Sequence, residues 1–220
     1  MTRHPRPPYT AGRMRGSIAA LALAAAVLGL LGCGFALPAS SVAAGEAVDW
    51  RGEPVQGATW RTPFAWPTRR GEVQVRPRAA FDISAVVAAE EPYNFDDSAF
   101  LSPVDLVMTW GRLPEEPYRS RVSYYQITRY YFWRTRDPSL DLHYIATHSA
   151  NMHMIPATHN LARALAHVGS GDRVRLRGLL VDVEGSGFRW QTSMTRDDAG
   201  PGACELVWVE EMQRGRRLYR

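Results

Sequence analysis

Several residue types and motifs that commonly carry chemistry are missing from this chain. It has no lysine, so all 26 basic residues are arginines, and it has only two cysteines, Cys33 and Cys204. Because Cys33 lies in an apolar N-terminal segment, no disulfide within one molecule is expected, and Cys204 is interpreted as a small buried hydrophobe. The motifs Gly-x-Ser-x-Gly, Gly-x-x-x-x-Gly-Lys and His-Glu-x-x-His are also absent. The sequence therefore leans against an enzyme, predicts no catalytic residue and implies no cofactor.

The body of the chain also lacks a strong charge. The formal net charge is +4, but eight of the 26 arginines lie in the terminal segments 1–15 and 214–220. The rest of the chain contains 18 basic and 22 acidic residues, so this body is mildly acidic. This balance gives little attraction to a phosphate backbone and argues against nucleic acid as a partner.

One long apolar run stands near the start of the chain. Residues 17–37 carry no charge, and four arginines precede them in the basic segment 1–16. About 20 apolar residues span a bilayer, and arginines on the N-terminal side favour a cytoplasmic N-terminus. We expect 1–16 to be a cytoplasmic n-region and 17–37 a single-pass anchor in a bacterial inner membrane. The C-terminal domain then lies in the periplasm.

Two other fates of this segment remain open. The small residues of 38–44 suit cleavage of a signal peptide, which gives a secreted protein. The sequence LLGC at 30–33 instead suits a lipoprotein signal in which Cys33 is acylated. In all three cases the rest of the chain lies outside the cytoplasm, in or beyond the cell envelope.

Composition divides the remainder into three segments. Residues 38–78 are broken by proline and glycine and predict a tether, whose three tryptophans are expected to pack along the domain surface. Residues 79–212 carry strand and helix patterns and predict one globular β-rich domain. A short basic tail follows at 213–220.

Alternating apolar residues predict strands in this domain. Phe81, Ile83, Ala85 and Val87 share one face, and the aromatic stretch 121–134 suits a single long strand. Further strands are predicted in the segments 104–111, 142–147, 173–183, 188–194 and 204–212.

A helical period appears once, at 155–172, where Thr158 or Asn160 caps the N-terminus and Gly169 ends the helix. Four strands, one helix and three strands predict a mainly β fold with one short helix (α+β). The predicted architecture is a small antiparallel barrel, OB-like in type, after an N-terminal membrane segment. The apolar parity changes at Gly178, where a glycine bulge is expected to keep the whole strand on the core side.

Three histidines, His143, His148 and His153, follow each other at intervals of five residues. Five residues along a strand reach the opposite face, and five along a helix turn about 140° around the axis, so neither structure gathers them. No metal site is predicted. The segment SANMH, 149–153, is interpreted as an irregular crossing between strand and helix.

Two charged patterns are candidate binding features. Arg173, Arg175 and Arg177 share one strand face, which suits either a polyanion or a solvated face paired with acidic side chains of a neighbouring strand. The polar loop 195–205 lacks the spacing of a calcium loop and is interpreted as structural, with its arginine held by its acids.

Five motifs occur in order between Phe81 and Glu210: LSPVDLVMTWG, QITRYYFWR, THSANMHMIPA, GDRVRLRGLLVDV and TSMTRDDAGPGACELVWVE. They resemble the successive motifs of an uncharacterised group of bacterial proteins with an N-terminal membrane segment and one globular domain. The resemblance implies the same layout and supplies no activity. Ile127 stands where the group usually has a small polar residue, and Pro201 interrupts its glycine loop.

Polar residues in loops between apolar strands are the candidate binding residues, because binding sites commonly lie in such loops. They predict a membrane-tethered, extracytoplasmic binding or interaction module whose partner is an envelope protein or a small polar ligand. Two alternatives remain: a metal-dependent or other hydrolase that uses the loop His, Arg and Asp residues, and a nucleic-acid-binding barrel that uses the arginine strand. The candidate ligand-binding residues are Trp110, Arg129, His148, Asn151, His153, Arg196 and Asp198, and Cys33 is the candidate lipidation site.

Overall fold

The computed structural model describes residues 38–185, 187–196, 198, 200 and 202–220. Residues Pro38–Arg220 belong to one compact unit. The predictions for 1–16 and 17–37, including the anchor and the acylation of Cys33, lie outside the described residues. In the described part of the chain, no helix has both the length and the apolar character needed to cross a membrane.

The described residues form a mainly β fold, as predicted, with three short helices where one was expected. The strands are β1 (Val42–Ala43), β2 (Val55–Gly57), β3 (Phe64–Thr68), β4 (Gly71–Pro92), β5 (Val104–Thr109), β6 (Val122–Ile127), β7 (Tyr130–Thr135), β8 (Ser149–Pro156), β9 (Arg173–Gly185), β10 (Phe188–Trp190), β11 (Glu205–Arg214) and β12 (Arg217–Tyr219). The helices are α1 (Tyr118–Arg121), α2 (Leu142–Thr147) and α3 (His159–Leu165).

Five strands form the centre of the main sheet. β4 pairs antiparallel with β5 and β9, and β5 pairs antiparallel with β8. β11 pairs parallel with β8 and antiparallel with β9, so each of the five has a partner on both edges. The short strands extend this arrangement: β2 and β3 pair with β4, β10 pairs with β9, and β12 pairs with β11 and β1. β6 and β7 form a separate two-stranded sheet.

The predicted alternation of β4 is confirmed. Phe81, Ile83, Ala85 and Val87 are all buried in the larger of the two apolar clusters of the main sheet. α3 packs into the same cluster. These side chains follow the two-residue period of a strand, which places every second one on the core side.

Capping residues explain two of the helices. α3 begins after Thr158, whose hydroxyl accepts a hydrogen bond from the Leu161 N–H at 3.2 Å, so Thr158 is the cap and Asn160, the other predicted candidate, is not. The strand predicted at 142–147 is wrong, because these residues form α2. Asp141 caps α2 by accepting from the Tyr144 N–H at 3.0 Å, and such a cap outweighs weak alternation in so short a segment.

The aromatic stretch 121–134 is two strands, so the prediction of one long strand is wrong. Ile127 lies opposite Tyr130 in the β6–β7 pair, which leaves only Thr128 and Arg129 in the turn. Both have positive φ, 49° and 72°, as a type I′ hairpin turn requires. Such turns usually contain asparagine or glycine. Because neither is present, the sequence shows no sign of the reversal.

The segment 149–153 belongs to β8, and its prediction as an irregular crossing is also wrong. All eight residues of β8 are buried, between β5 and β11. One side of the strand contributes to the larger apolar cluster. On the other side, the Ser149 carbonyl accepts from the Tyr131 hydroxyl and the Asn151 amide oxygen accepts from Gln126. The β6–β7 hairpin therefore buries this polar face of β8. From the sequence alone, its polar residues would be expected to be exposed to solvent.

Gly178 does not form the predicted bulge. The register shifts lie in its two partner strands, between Val209 and Glu211 of β11 and between residues 77 and 79 of β4. The apolar residues of β9 consequently enter two clusters rather than one. A Cβ at Gly178 would lie 1.9 Å from the Trp208 carbonyl oxygen, so glycine is needed here for the close approach of β11.

The segment 38–78, predicted as a tether, contains β1, β2, β3 and the start of β4. Trp50 is buried, and the Trp66 ring packs edge-to-face on Trp208 with 4.8 Å between centroids. These two tryptophans pack on the domain as expected, whereas Trp60 is 94% exposed. This stretch is therefore part of the compact unit.

Candidate functional site

The β6–β7 turn holds the Arg129 side chain against two aspartates. Its Nε and Nη2 donate to the two carboxylate oxygens of Asp96, at 2.7 and 2.9 Å, and Nη1 donates to Asp105 Oδ1 at 2.7 Å. Nη2 also donates to the Ser102 carbonyl at 2.9 Å, and Nη1 to the Ser102 hydroxyl at 3.4 Å. All five guanidinium N–H groups therefore have a partner. We call this arrangement of Arg129, Asp96, Asp105 and Ser102 the clamp.

The clamp is largely removed from solvent. The Arg129 side chain is 13% exposed and the Asp105 side chain is 0% exposed. Burial acts to raise the pKa of Asp96, but the hydrogen bonds and positive charge of Arg129 outweigh it, so that pKa is lowered. Two carboxylates share one guanidinium, which leaves Arg129 neither free charge nor free donors for an anionic ligand.

Aromatic rings and backbone strain complete the surroundings of the turn. Arg129 Cζ lies 3.6 Å from the Tyr93 ring centroid and 5.6 Å from that of Trp190. The Arg129 N–H donates to the Tyr93 hydroxyl at 2.9 Å. Thr128 is β-branched and holds φ 49°, a conformation that costs about 1–3 kcal/mol and is common at functional sites. The clamp supplies contacts that offset this strain.

The second oxygen of Asp105 faces an imidazole. His153 Nδ1 lies 2.9 Å from Asp105 Oδ2, although neither atom has a hydrogen-bond partner of good geometry among the described residues. The imidazole packs on Trp190 with 4.4 Å between ring centroids. A buried carboxylate beside an imidazole can orient the ring for ligand binding or for proton transfer.

Asn151 joins the turn to β8. Its Nδ2 donates to the Arg129 carbonyl at 3.0 Å, and its Oδ1 accepts from Gln126 Nε2 at 2.7 Å. The Cys204 thiol lies 3.9 Å from the same Arg129 carbonyl. Because its polar atoms are used inside the domain, Asn151 positions the turn.

A cavity of about 250 Å³, which we call the Trp190 cavity, opens beside the clamp. Its walls combine the aromatic rings of Phe188, Trp190 and Tyr130 with polar side chains that include Gln191 and His153. Phe188 and Trp190 lie edge-to-face, with 5.7 Å between centroids. A wall of rings with a few hydrogen-bonding groups is typical of sites for small ring-bearing ligands.

A second cavity, of about 290 Å³, shares Tyr130 and Cys204 with the first, and we call it the Glu205 cavity. Arg196 and Asp198 also line it. Glu205 is 4% exposed, and its Oε2 has no hydrogen-bond partner among the described residues. Burial raises the pKa of the Glu205 carboxyl to about 8, and the Asp198 charge adds to the rise while Arg196 opposes it. At neutral pH this carboxyl is therefore a neutral donor.

Cys204 lines both cavities and is only partly buried, so the prediction of a buried hydrophobe is corrected. Burial raises the pKa of its thiol to about 12. The thiol therefore stays protonated at neutral pH and is a poor nucleophile. Its role is to form part of the common wall.

Trp110 and His148 both contact Glu53, and Arg196 Cζ lies 5.9 Å from the Trp110 ring centroid. Trp110 Nε1 donates to Glu53 Oε2 at 3.0 Å, and His148 Nε2 lies 2.9 Å from Glu53 Oε1. His148 also stacks on Tyr144, with 3.6 Å between ring centroids. Neither residue borders the Trp190 or Glu205 cavity. Their contacts with Glu53 attach the 38–78 segment to the domain.

The seven predicted binding residues therefore fall into three groups, of which two border the cavities. The structure does not bring all seven together. The groups are Arg129, Asn151 and His153 at the turn, Arg196 and Asp198 at the Glu205 cavity, and Trp110 and His148 beside Glu53.

Sequence reasoning missed three residues that define the site: Asp105, Glu205 and Trp190. Asp105 interrupts the apolar strand VDLVMT, and Glu205 opens the apolar strand ELVWV. A charged residue inside an apolar strand is costly unless it is paired or functional. That signal was available, whereas nothing in the local sequence distinguishes Trp190 from a packing residue.

The histidines and the arginine strand have internal partners. His148 and His153 contact different carboxylates, and no group of three or more His, Cys, Asp or Glu side chains in the described ranges is arranged to hold a metal ion. Arg175 and Arg177 both pair with Asp82, at 2.7 and 3.1 Å. The charge of this strand face is thus largely compensated.

Comparison with known proteins adds no relative. No family model, no curated protein and no solved structure matches the chain. The resemblance to a bacterial group, based on the five sequence motifs, stays a prediction.

Proposed function

We propose that this chain is a membrane-tethered, extracytoplasmic binding module whose Trp190 cavity holds one ring of a neutral polar ligand, such as a short glycan. The wall of this cavity is the observation that carries the proposal. There, aromatic rings and hydrogen-bonding side chains meet beside the clamp, in which two carboxylates share the Arg129 guanidinium. A sugar ring has an apolar face to stack on an indole and hydroxyl groups to meet the polar side chains.

We also propose an OB-like barrel as the framework of this site. The pairing of β4, β5, β8, β11 and β9 supports it, as does the position of α3 between β8 and β9. OB-folds bind oligosaccharides or oligonucleotides on their second and third strands and beside the loops after the first and fourth. In this chain Asp105 and His153 lie on the second and third strands, β5 and β8. Asp96 follows β4, and Trp190 follows β9.

Charge favours a neutral ligand over a nucleic acid. Binding to a phosphate backbone requires free lysine or arginine side chains. Arg129 is used by Asp96 and Asp105, and Arg175 and Arg177 of the arginine strand pair with Asp82. Arg189 is the other arginine that lines the Trp190 cavity. The mildly acidic body points in the same direction.

The sequence of the N-terminal segment supports the membrane tether and the extracytoplasmic location. Residues 17–37 are uncharged and follow four arginines, the pattern of a segment that leaves its C-terminal side outside the cytoplasm. A β-lactamase fused after Arg220 tests this location, because the enzyme protects cells from ampicillin only when it is exported. A fusion that leaves the cells sensitive while the protein accumulates contradicts the proposal.

Binding of chitotriose to the purified full-length chain tests the proposed ligand class. We expect chitotriose to change the intrinsic tryptophan fluorescence. Trp190→Ala should weaken binding by about tenfold or more, since stacking of one ring contributes roughly 1–3 kcal/mol. Trp60→Ala is the matched control, because the Trp60 side chain is 94% exposed and borders neither cavity. It should bind like the wild type.

Two results contradict this proposal. One is the absence of binding to chitotriose and to maltotriose at millimolar concentration by a chain whose circular dichroism shows that it is folded. The other is tighter binding of an oligothymidylate with a steep dependence on salt, which indicates phosphate contacts instead.

The Asp105–His153 pair favours a hydrolase as the second candidate. The imidazole lines the Trp190 cavity, and its Nδ1 lies 2.9 Å from a carboxylate that is 0% exposed. Such a pair suits general-base catalysis. Hydrolysis of p-nitrophenyl acetate should then be lost in His153→Gln and kept in His143→Gln, the control on α2. Equal rates for both variants and for buffer contradict this candidate.

A further inference from the structure

The Glu205 cavity has features that the proposed glycan site does not use. Glu205 is the first residue of β11 and pairs with Met152 of β8, so the strand backbone fixes its side chain. Although it is 4% exposed, its Oε2 meets no hydrogen-bonding group of the described residues. A buried polar atom without a partner costs about 1–3 kcal/mol. The cavity in front of it leaves room for a ligand that supplies the partner.

Arg196 offers a second unused donor in the same cavity. Its Nε is buried and has no hydrogen-bond partner among the described residues. Asp198, which also lines the cavity, accepts a hydrogen bond from the Ser193 hydroxyl at 2.7 Å. The charged or titratable groups around Glu205 are thus Arg196 and Asp198, with the Tyr131 phenol and the Cys204 thiol.

Arg196 and Glu205 line one cavity, and their two donor groups match a ligand with two adjacent acceptors. We propose that the Glu205 cavity binds a small organic carboxylate, which accepts hydrogen bonds from the Arg196 guanidinium and from the Glu205 carboxyl group. Charge-assisted hydrogen bonds of this kind are short and strong. A protonated amine in the same place would lie beside the Arg196 guanidinium, whose positive charge repels it.

The size and lining of the cavity narrow the ligand class to an acid with one ring. The volume is about 290 Å³, and Tyr130, Tyr131, Phe132 and Trp133 of the hairpin contribute to its walls. Aromatic side chains of this kind suit a flat apolar group. A carboxylate on an aromatic or aliphatic ring therefore places its charge at Glu205 and Arg196 and its ring against the hairpin.

This second site does not depend on the proposed glycan site. The glycan proposal concerns Trp190 and His153, neither of which lines the Glu205 cavity. The two sites share only the wall formed by Tyr130 and Cys204. Failure of one proposal therefore leaves the other open to its own test.

Three probes of nearly equal size separate the effect of charge from that of shape. Benzoate is the anion, benzamide the neutral isostere and benzylamine the cation. At about pH 6, where Glu205 is protonated, calorimetry with the full-length chain should show benzoate binding with a Kd of about 1 mM or lower. Benzamide should bind about tenfold more weakly and benzylamine not measurably.

Variants assign the binding to the two donors. Arg196→Gln should weaken benzoate binding by about tenfold or more, because it removes the charge. Glu205→Gln keeps a donor of the same shape and should stay within a fewfold of the wild type near pH 6. The wild type and Glu205→Gln should differ at higher pH. Wild-type affinity should fall above about pH 8 as Glu205 ionises, whereas the affinity of Glu205→Gln should stay level. Asp198→Asn, which removes a neighbouring negative charge, should not weaken binding.

Three outcomes of these experiments overturn the proposal. Benzylamine or benzamide binding at least as tightly as benzoate contradicts a carboxylate site. So does benzoate binding that is equal in the wild type, Arg196→Gln and Glu205→Gln and follows the same pH profile in all three. Absence of benzoate binding at millimolar concentration, in a wild-type chain shown to be folded by circular dichroism, also contradicts it. Trp190→Ala should keep benzoate binding within about twofold, which distinguishes this site from the Trp190 cavity.

Discussion

Replacing Glu205 by glutamine should remove a pH dependence from the stability of the folded chain. The side chain is 4% exposed, and burial raises the pKa of its carboxyl from an ordinary value of 4.5 to about 8. Glutamine has nearly the same shape and remains neutral at every pH. The substitution therefore changes the protonation behaviour of this position with little change in packing.

The sign and size of this pH dependence follow from the number of protons bound in the folded and unfolded states. Below pH 4.5 both the folded and the unfolded chain hold this proton, so the carboxyl adds no pH dependence. Between pH 4.5 and about 8 the unfolded chain has lost the proton and the folded chain keeps it. Each pH unit then lowers the free energy of unfolding by about 1.4 kcal/mol, which amounts to a loss on the order of 5 kcal/mol across the window. Above about pH 8 the loss is constant.

Guanidinium denaturation of the full-length chain at several pH values, followed by circular dichroism, measures this effect. The difference between Glu205→Gln and the wild type isolates Glu205, because all other titrating groups are common to both. We expect the two free energies of unfolding to be similar near pH 5. By about pH 8 the variant should be more stable by several kcal/mol.

Glu210→Gln is the matched control. Glu210 lies on the same strand, but it pairs with Arg61 at the surface and its side chain is 36% exposed. This variant should follow the pH profile of the wild type. A Glu205→Gln profile that runs parallel to the wild type from pH 5 to 9 refutes the reasoning, since it means that Glu205 is ionised in the folded chain at neutral pH.

Two further substitutions test the packing and the clamp. Gly178→Ala should destabilise the chain by about 3 kcal/mol in denaturant titrations, because its Cβ would lie 1.9 Å from the Trp208 carbonyl oxygen. Gly57→Ala has no atom within 4 Å of its Cβ and should change stability by less than about 1 kcal/mol; equal effects contradict the close-approach argument. Arg129→Met should cost about 3–5 kcal/mol, because it leaves Asp105 buried without a counter-charge. Adding Asp105→Asn should recover part of that loss, and a loss below about 1 kcal/mol in Arg129→Met contradicts a stabilising clamp.

The elements that could be predicted from the sequence have local signals. β4 alternates apolar residues from Phe81 to Val87, and α3 starts at a Thr158 cap. Both patterns involve residues that are close together in the sequence. Local physical chemistry is therefore sufficient to identify this strand and this helix.

The elements that were missed are decided by distant contacts. The β6–β7 turn uses Thr128 and Arg129 at positive φ without the usual asparagine or glycine. Contacts with residues far along the chain hold it: Asp96 and Asp105 lie 33 and 24 residues from Arg129. No local pattern contains that information. The same hairpin buries the polar face of β8, which therefore resembles a loop in sequence.

The candidate site shows the same division. The sequence predicts Arg129, His153 and Arg196 as binding residues because polar residues between apolar strands commonly bind ligands, but His153 lies within β8. Their roles differ from the expected ones. The donors of Arg129 are all used internally, whereas Glu205, the buried acid with an unpaired oxygen, begins a strand. Only the assembled structure separates groups that are satisfied from groups that are not.

Cys204 allows the most direct test of the claim that two neighbouring cavities bind small ligands. It lines both cavities, and in a Cys33→Ser background it is the sole cysteine of the chain. We predict that its ¹³Cβ resonance, in a chain labelled at cysteine, shifts when chitotriose is added and shifts again when benzoate is added. A resonance that stays unchanged with both ligands at millimolar concentration contradicts binding at either cavity.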